Sequence, residues 1–262
     1  MMTEPVHVTD RDNVRWIQLH RPESRNALTI EINRELIAAL QGAVAAGARA
    51  VVLSGASGHF CSGLDLKEAM RTGPRSPADM EHDMRAYFHG LIRAVRAVEA
   101  PVVAAVDGPA VGFGCDLALA CDLRLVTERA VFGEIFVRRG LMPDGGGTFS
   151  LPRLVGVGRA LELMLTGDSI SGGDAVRMGL ANRLLPPEAF EGAVWEFAIR
   201  LAKGPPLVMR RIKRAVYESL HGDLDAALER EAVGQLELLG SADFLEGVAA
   251  FLQRREPKFS GK

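Results

Sequence analysis

Apolar positions recur along this chain with two periods, and the mixture changes partway along it. Near the N-terminus, VHVTDRDNVRWIQLHRP places Val14, Trp16, Ile17 and Leu19 beyond the polar run Thr9 to Asn13, a pattern that predicts two extended segments joined by a turn. From Thr29 to Ala46 the spacing lengthens: Ile32, Leu36, Ile37, Leu40 and Val44 fall on one helical face, and Thr29 suits an N-cap. AVVLS at Ala50 to Ser54 and PVVAAVD at Pro101 to Asp107 are short, mostly apolar runs, as expected of strands covered on both faces. Between them, Arg85 to Val98 predicts a helix that turns Phe88, Leu91, Ile92 and Val95 inward, and RTGPRSP at Arg71 to Pro77 reads as a mobile loop before it. Strands alternating with helices predict an α/β fold.

Beyond about residue 157 the strand-like runs vanish. Helical patterns follow one another at Gly158 to Leu165, Ser171 to Met178, Pro187 to Lys203, Pro205 to Leu220, Leu224 to Leu239 and Ala242 to Arg255. Ser171 followed by Asp174 resembles a capping box, and Lys203-Gly204-Pro205-Pro206 reads as a helix stop with a restart. The expected organisation is a core over residues 1–200 and a C-terminal helical region over 201–262. No repeat with a period of 20 to 50 residues is visible.

Composition narrows the possible partners. The 262 residues are 48% hydrophobic, enough for one large core, and the formal net charge of −2 gives no general attraction to a phosphate backbone. Nucleic acid is therefore not an expected partner. No apolar run approaches the roughly 18 residues a membrane span needs, and Met1 to Pro5 lacks the plan of a signal peptide, so a cytoplasmic protein without a membrane partner is expected. Cys61, Cys115 and Cys121 have no metal-ligand spacing and read as reduced packing residues.

Two glycine-bearing segments follow strands: HFCSGLDLK at His59 to Lys67, and DGPAVGFGCDLALACD at Asp107 to Asp122. Each reads as a strand, a tight turn and a helix start, and a helix start leaves N–H groups free with the positive end of the dipole behind them. Two such starts side by side could hold one oxygen; the glycines could equally serve only to make sharp turns. A third segment, GLMPDGGGTFSLPRLVG, sets Asp144 between a proline and three glycines. Local chemistry allows either a helix-capping aspartate or a proton carrier there.

RPESRNAL, FCSGLDLKE, PVVAAVDGPAVGFGCDLALACD, FGEIFVRRGLMPDGGGTFSLPRLVG and EGVAAFLQRREPKF together resemble the crotonase, or enoyl-CoA hydratase/isomerase, superfamily over nearly the whole chain. The resemblance implies a spiral core of ββα turns, a C-terminal helical region that joins subunits into homotrimers or hexamers, and an acyl-CoA thioester as substrate. Coenzyme A would be part of that substrate, so no separate cofactor is implied. The oxyanion N–H groups would belong to Leu64 and Phe113, whose side chains are bulkier than is usual in the family. The segment Ser62, Leu64, Asp65, Leu66 and Lys67 would lie along the CoA, with Asp65 fixing the turn. Arg25, Asn26 and Ala27 would follow the same ligand, and Lys258 and Phe259 would form a tail contacting nucleotide, often from a neighbouring subunit.

The family's hydratases use two glutamates, and the chain departs at both. The first position is Asp116 and the second is Phe136, which carries no proton. Glu134 is two positions earlier, about 7 Å away along an extended segment, and is not expected to replace the missing acid. At Asp144 the hydratases usually have glycine, while several isomerases and a dehalogenase branch have aspartate. The resemblance thus implies double-bond isomerisation: Asp144 moves the proton, with Phe113, Phe136 and Met142 as an apolar lining that raises its pKa. Asp116 either assists or caps. Water addition by a hydratase is the alternative reading. His89 lies close to a histidine of the dehalogenase branch, which keeps nucleophilic substitution or thioester hydrolysis open, and with Phe136 in place of an acid an inactive CoA-binding protein is the non-enzymatic reading.

Overall fold

The computed structural model describes residues 4–71 and 75–262, so residues 72–74 of the expected Arg71 to Pro77 loop lie outside it. Strands β1 (Val6–Arg11) and β2 (Val14–Leu19) pair antiparallel around Asp12 and Asn13, both at positive φ, which short polar side chains tolerate. Helix α1 (Ile30–Gln41) starts where expected, with the Thr29 hydroxyl accepting from Ile32 N–H at 3.3 Å, but it ends before Val44, which is exposed.

Strand β3 (Ala50–Gly55) leads through a long turn to α2 (Leu66–Arg71) and α3 (Pro77–Asp83). A π turn at Met84–Phe88 joins α3 to α4 (His89–Ala97), where the sequence pattern suggested one plain helix. Next come β4 (Val102–Val106), β5 (Pro109–Val111), α5 (Phe113–Ala120), β6 (Leu123–Val126) and β7 (Val131–Gly133). The chain continues through α6 (Gly147–Val155), α7 (Val157–Thr166), β8 (Ser169–Ser171), α8 (Gly172–Arg177) and β9 (Arg183–Leu184). It closes with α9 (Phe190–Ala202), α10 (Pro206–Ser219), α11 (Leu224–Leu239) and α12 (Ala242–Gln253). The expectation that strands cease after residue 157 is corrected by β8 and β9. Both are short and lack an apolar run, so neither has a pattern to read.

The main sheet has the order β1-β2-β3-β4-β6-β9, parallel from β2 onward, and β5-β7-β8 form a second sheet. Side chains alternate between two covered faces, which explains the nearly continuous apolar runs of β3 and β4. Ile17, Leu19, Val51, Leu53, Val102 and Ala104 pack with Leu36, Leu91, Val95 and Leu117 on one side. Trp16, Ala50, Val52, Val103 and Leu125 face Val194, Ala198 and Ala202 of α9 on the other.

Helix α10 is pinned to this core by Asp122, which pairs with Lys213 at 2.8 Å and accepts from the Tyr217 hydroxyl at 2.5 Å. Helices α11 and α12 leave Leu224, Leu236, Phe251 and Leu252 exposed. The final residues fold back, with Asp243 accepting from the amides of Ser260 at 2.6 Å and Gly261 at 2.9 Å. All three cysteines are free and buried.

Candidate active site

The two turns singled out in the sequence meet. Phe60 and Cys61 donate their amides to Pro109 O at 3.0 Å, which ties the turn after β3 to β5. Gly63 has a φ of +86°, and a Cβ there would stand 3.2 Å from Phe113 N, so the peptide leading to Leu64 lies against the start of α5. Gly112, at φ 56° and ψ −131°, adopts backbone geometry open in practice only to glycine, and this aims the first amides of α5 outward. Among the described residues, neither Leu64 N–H nor Phe113 N–H has a backbone acceptor. The two turns thus present two N–H groups, one in the turn before α2 and one at the start of α5, in the arrangement an oxygen receptor would need.

The other end of α5 is satisfied. Arg124 is buried, and its guanidinium donates to Cys121 O at 2.7 Å and Ala118 O at 3.4 Å, the last carbonyls of the helix, and to Leu180 O at 2.6 Å. Burial lowers the Arg124 pKa below the ordinary arginine value. Sequence reading missed this residue, because an arginine in a short strand has no local sign of which carbonyls it will meet.

Phe113 and Phe136 are buried, Phe88 meets Phe113 edge-on at 5.1 Å, and Leu64 is 40% exposed. Met142 corrects an expectation. At 69% exposed it is no part of a buried lining, because the segment between the 3₁₀ turn Ile135–Arg139 and α6 runs over the surface.

Asp144 is half-buried just before α6 and does not cap it: the N-cap is Gly146, in the left-handed region, with no side-chain hydrogen bond. The loop just before the helix is held from another helix, since Gly145 N–H donates to Asp116 Oδ2 at 2.8 Å. Asp116 thus anchors the residue after Asp144, and Asp144 Oδ1 is buried without a hydrogen-bond partner among the described residues. Burial raises the Asp144 pKa above the ordinary aspartate value, and a charge on His89, reaching it from α4, opposes the rise. His89 thus belongs to the surroundings of Asp144.

Glu134 comes closer to Asp116 than spacing along a strand suggests. After β7 the chain leaves the extended conformation and enters the 3₁₀ turn Ile135–Arg139, so spacing along a strand no longer applies. Glu134 is 2% exposed and Asp116 1%, and a Cβ on Gly147 would stand 2.4 Å from Asp116 Oδ1 and 2.9 Å from Glu134 Oε1. The two carboxyls converge beside one glycine. Burial raises both above the ordinary carboxylate range; Asp144 raises Asp116 further, and Asp116 and Asp144 raise Glu134. The sequence signal was there in weak form, a charged residue inside the apolar run VFGEIFV.

The expected ligand-contacting segments are brought side by side in part. Ser62 N–H donates to Arg25 O at 3.1 Å, Leu28 N–H to Gly63 O at 2.8 Å and Asp65 N–H to Leu28 O at 2.9 Å, so Arg25–Ala27 runs along Ser62–Asp65. Asp65 holds its turn through Glu68 N–H at 3.1 Å and Arg21 at 3.2 Å. Asn26 is structural, its amide donating to Ala56 O at 3.0 Å and His59 O at 2.6 Å. Arg25, Leu66 and Lys67 are exposed, while Ala27 is buried. Lys258 sits elsewhere: its amide donates to Glu246 at 2.7 Å, and neighbouring Phe259 accepts from Arg49 at 2.8 Å.

The family model described as enoyl-CoA hydratase/isomerase matches residues 9–262. The chain is 42% identical over 246 residues to "Probable enoyl-CoA hydratase" of Rhodobacter capsulatus, covering 94% of each chain. It is 34% identical over 251 residues to 1,2-epoxyphenylacetyl-CoA isomerase of Escherichia coli, covering 95% of each. The crystal structure of enoyl-CoA hydratase from Bacillus anthracis superposes with a TM-score of 0.93 at 34% identity, covering 99% of this chain and 100% of that one. The core and C-terminal helical region are thus of the crotonase type implied by the motifs.

Proposed function

Because the chain belongs to the enoyl-CoA hydratase/isomerase family, whose members process acyl-CoA thioesters, we propose that it shifts the double bond of an enoyl-CoA, with Asp144 moving the proton. One observation supports this most: Asp144 does not cap α6, whose N-cap is Gly146, and its Oδ1 is buried with no hydrogen-bond partner among the described residues.

The thioester oxygen is received by the N–H groups of Leu64 and Phe113. Asp144 takes a proton from the acyl chain, and the C–H electron pair delocalises through the double bond onto that oxygen as a dienolate. The proton then returns from Asp144 to a different carbon. Each amide of the receptor contributes about 3 kcal/mol to the transition state if it behaves like other oxyanion donors. The raised pKa of Asp144 suits a group that must both accept and return a proton near neutrality. Phe136, in place of an acid, favours bond migration over water addition.

On this reading the Arg25–Ala27 and Ser62–Lys67 segments run along the CoA, and Lys258 meets the nucleotide of a neighbouring subunit. The exposed Leu236 and Phe251 would join subunits into a trimer or hexamer. A second reading, attack by Asp144 on carbon or on the thioester carbonyl, draws on the influence of His89 at that carboxylate. Release of halide from a halobenzoyl-CoA, or of free CoA from a simple acyl-CoA, would favour it.

The Asp144→Asn variant tests the main reading when positional isomers of enoyl-CoA are separated by chromatography. Turnover should fall by about 10²–10⁴, the usual contribution of a general acid/base. The parent rate should also fall as pH drops through a value above that of ordinary aspartate, and the variant should lose that limb. Unchanged turnover in the variant would overturn the proposal, and rapid hydration of a crotonyl thioester without bond migration would replace it with the hydratase reading.

A further inference from the structure

Glu134 is a buried carboxyl at the site that the steps above leave idle. Neither of its oxygens has a hydrogen-bond partner among the described residues, and neither has Asp116 Oδ1. A fully buried charge without a partner is costly, and two carboxylates converging on one glycine cannot both ionise cheaply. Replacement by an apolar residue would remove that cost. Something in this chain's chemistry must therefore use the glutamate, or the pocket is needlessly unstable.

We propose that Glu134 is a positioning residue: it and Asp116 carry one proton between them beside Gly147, and this acid–carboxylate pair holds the loop 144–147 so that Asp144 faces the acyl pocket. The geometry supplies the connection at each end. Asp116 Oδ2, in its charged form, accepts the Gly145 amide at 2.8 Å, one residue beyond Asp144. Asp116 Oδ1 and Glu134 Oε1 flank Gly147, the first residue of α6, at positions where any larger side chain would collide with both. Glu134 in its acid form adds no second charge beneath the loop. When it ionises, two anions lie under Gly147 with Asp144 as a third nearby, and their repulsion falls on the short segment that aims Asp144.

The titratable groups facing Glu134 are few. From α5 they are Asp116 and the buried thiol of Cys115, which burial, first, and then Glu134 push well above the ordinary cysteine value. From the segment before α6 there is Asp144, and His89 of α4 acts on Asp144 rather than on Glu134. Among the described residues no cation near Glu134 offsets its charge, so the proton itself does so.

The proposal rests on the isomerase reading for its role but not for its test. Glu134→Gln keeps the shape and a donor while removing the titration, and Glu134→Ala removes all three. In the ligand-free protein at neutral pH, infrared spectroscopy should show the carbonyl stretch of a protonated carboxylic acid that titrates away under alkaline conditions and is missing in Glu134→Gln. With enoyl-CoA, the parent should lose turnover over the same alkaline range. Glu134→Gln should move that limb by at least about one pH unit, and Glu134→Ala should lose roughly tenfold or more at neutral pH, as expected for a misaligned base. A parent spectrum without that band, or superposable alkaline limbs for the parent and Glu134→Gln, would overturn the proposal. The infrared measurement needs no substrate, so failure of the isomerase reading and failure of this one are distinguishable.

Discussion

Gly63→Ala is the most direct test of the oxygen receptor, because the perturbation reaches backbone atoms that no side-chain deletion can remove. At φ +86° an alanine is held in a left-handed conformation that costs roughly 1–2 kcal/mol. Its Cβ would also press against Val111 O at 3.0 Å and Phe113 N at 3.2 Å, both tighter than ordinary contact. Both atoms belong to the backbone of packed segments, so the strain is relieved by moving the Leu64 peptide away from α5. If that movement removes one donor, the transition state loses about 3 kcal/mol and kcat falls about 100-fold. KM should change by no more than a few-fold, since the lost interaction strengthens as the enolate forms. Steady-state turnover of an enoyl-CoA gives both constants, and thermal melting followed by circular dichroism reports the backbone cost as a drop of roughly 2–8 °C. A variant that melts lower by this amount yet keeps kcat within about threefold of the parent would show that the two amides are not aligned on developing charge.

Two further outcomes follow from buried charge. Arg124→Met should destabilise the fold by about 3 kcal/mol, because the carbonyls of Ala118, Cys121 and Leu180 lose their donor inside the core; a melting temperature within roughly 2 °C of the parent would contradict this. Glu134→Leu should change how stability depends on pH. The folded pKa of Glu134 is raised above its unfolded value, so the folded state holds the extra proton and the parent loses stability as pH rises through that window. The leucine variant lacks this loss and should gain on the parent in melting experiments from acid to alkaline pH, whereas a constant difference would refute the assignment.

Much of this molecule is legible residue by residue. Thr29 and Ser171 cap their helices because an N-cap needs only a side chain and an amide three residues on. The apolar runs of β3 and β4 announce strands covered on both faces, and Gly63 and Gly112 mark turns that no other residue makes easily. The ordered motifs were sufficient to identify the family, since their separations reflect the whole fold. The short strands β8 and β9 escaped because two or three residues carry no period.

The answer for Asp144 required the folded chain. A proline before it and glycines after it permit a capping aspartate, and nothing nearby in sequence says otherwise. In the fold the N-cap is Gly146, and Asp116, 29 residues from Gly145, holds the Gly145 amide because α5 packs against α6. Glu134 joins the same cluster because β7 ends in a 3₁₀ turn rather than continuing as a strand. Local sequence specifies which hydrogen bonds a short segment can make within itself. Which of those are displaced by a stronger buried partner, and which carboxyls must share a proton, is set by distances between segments that only packing brings together.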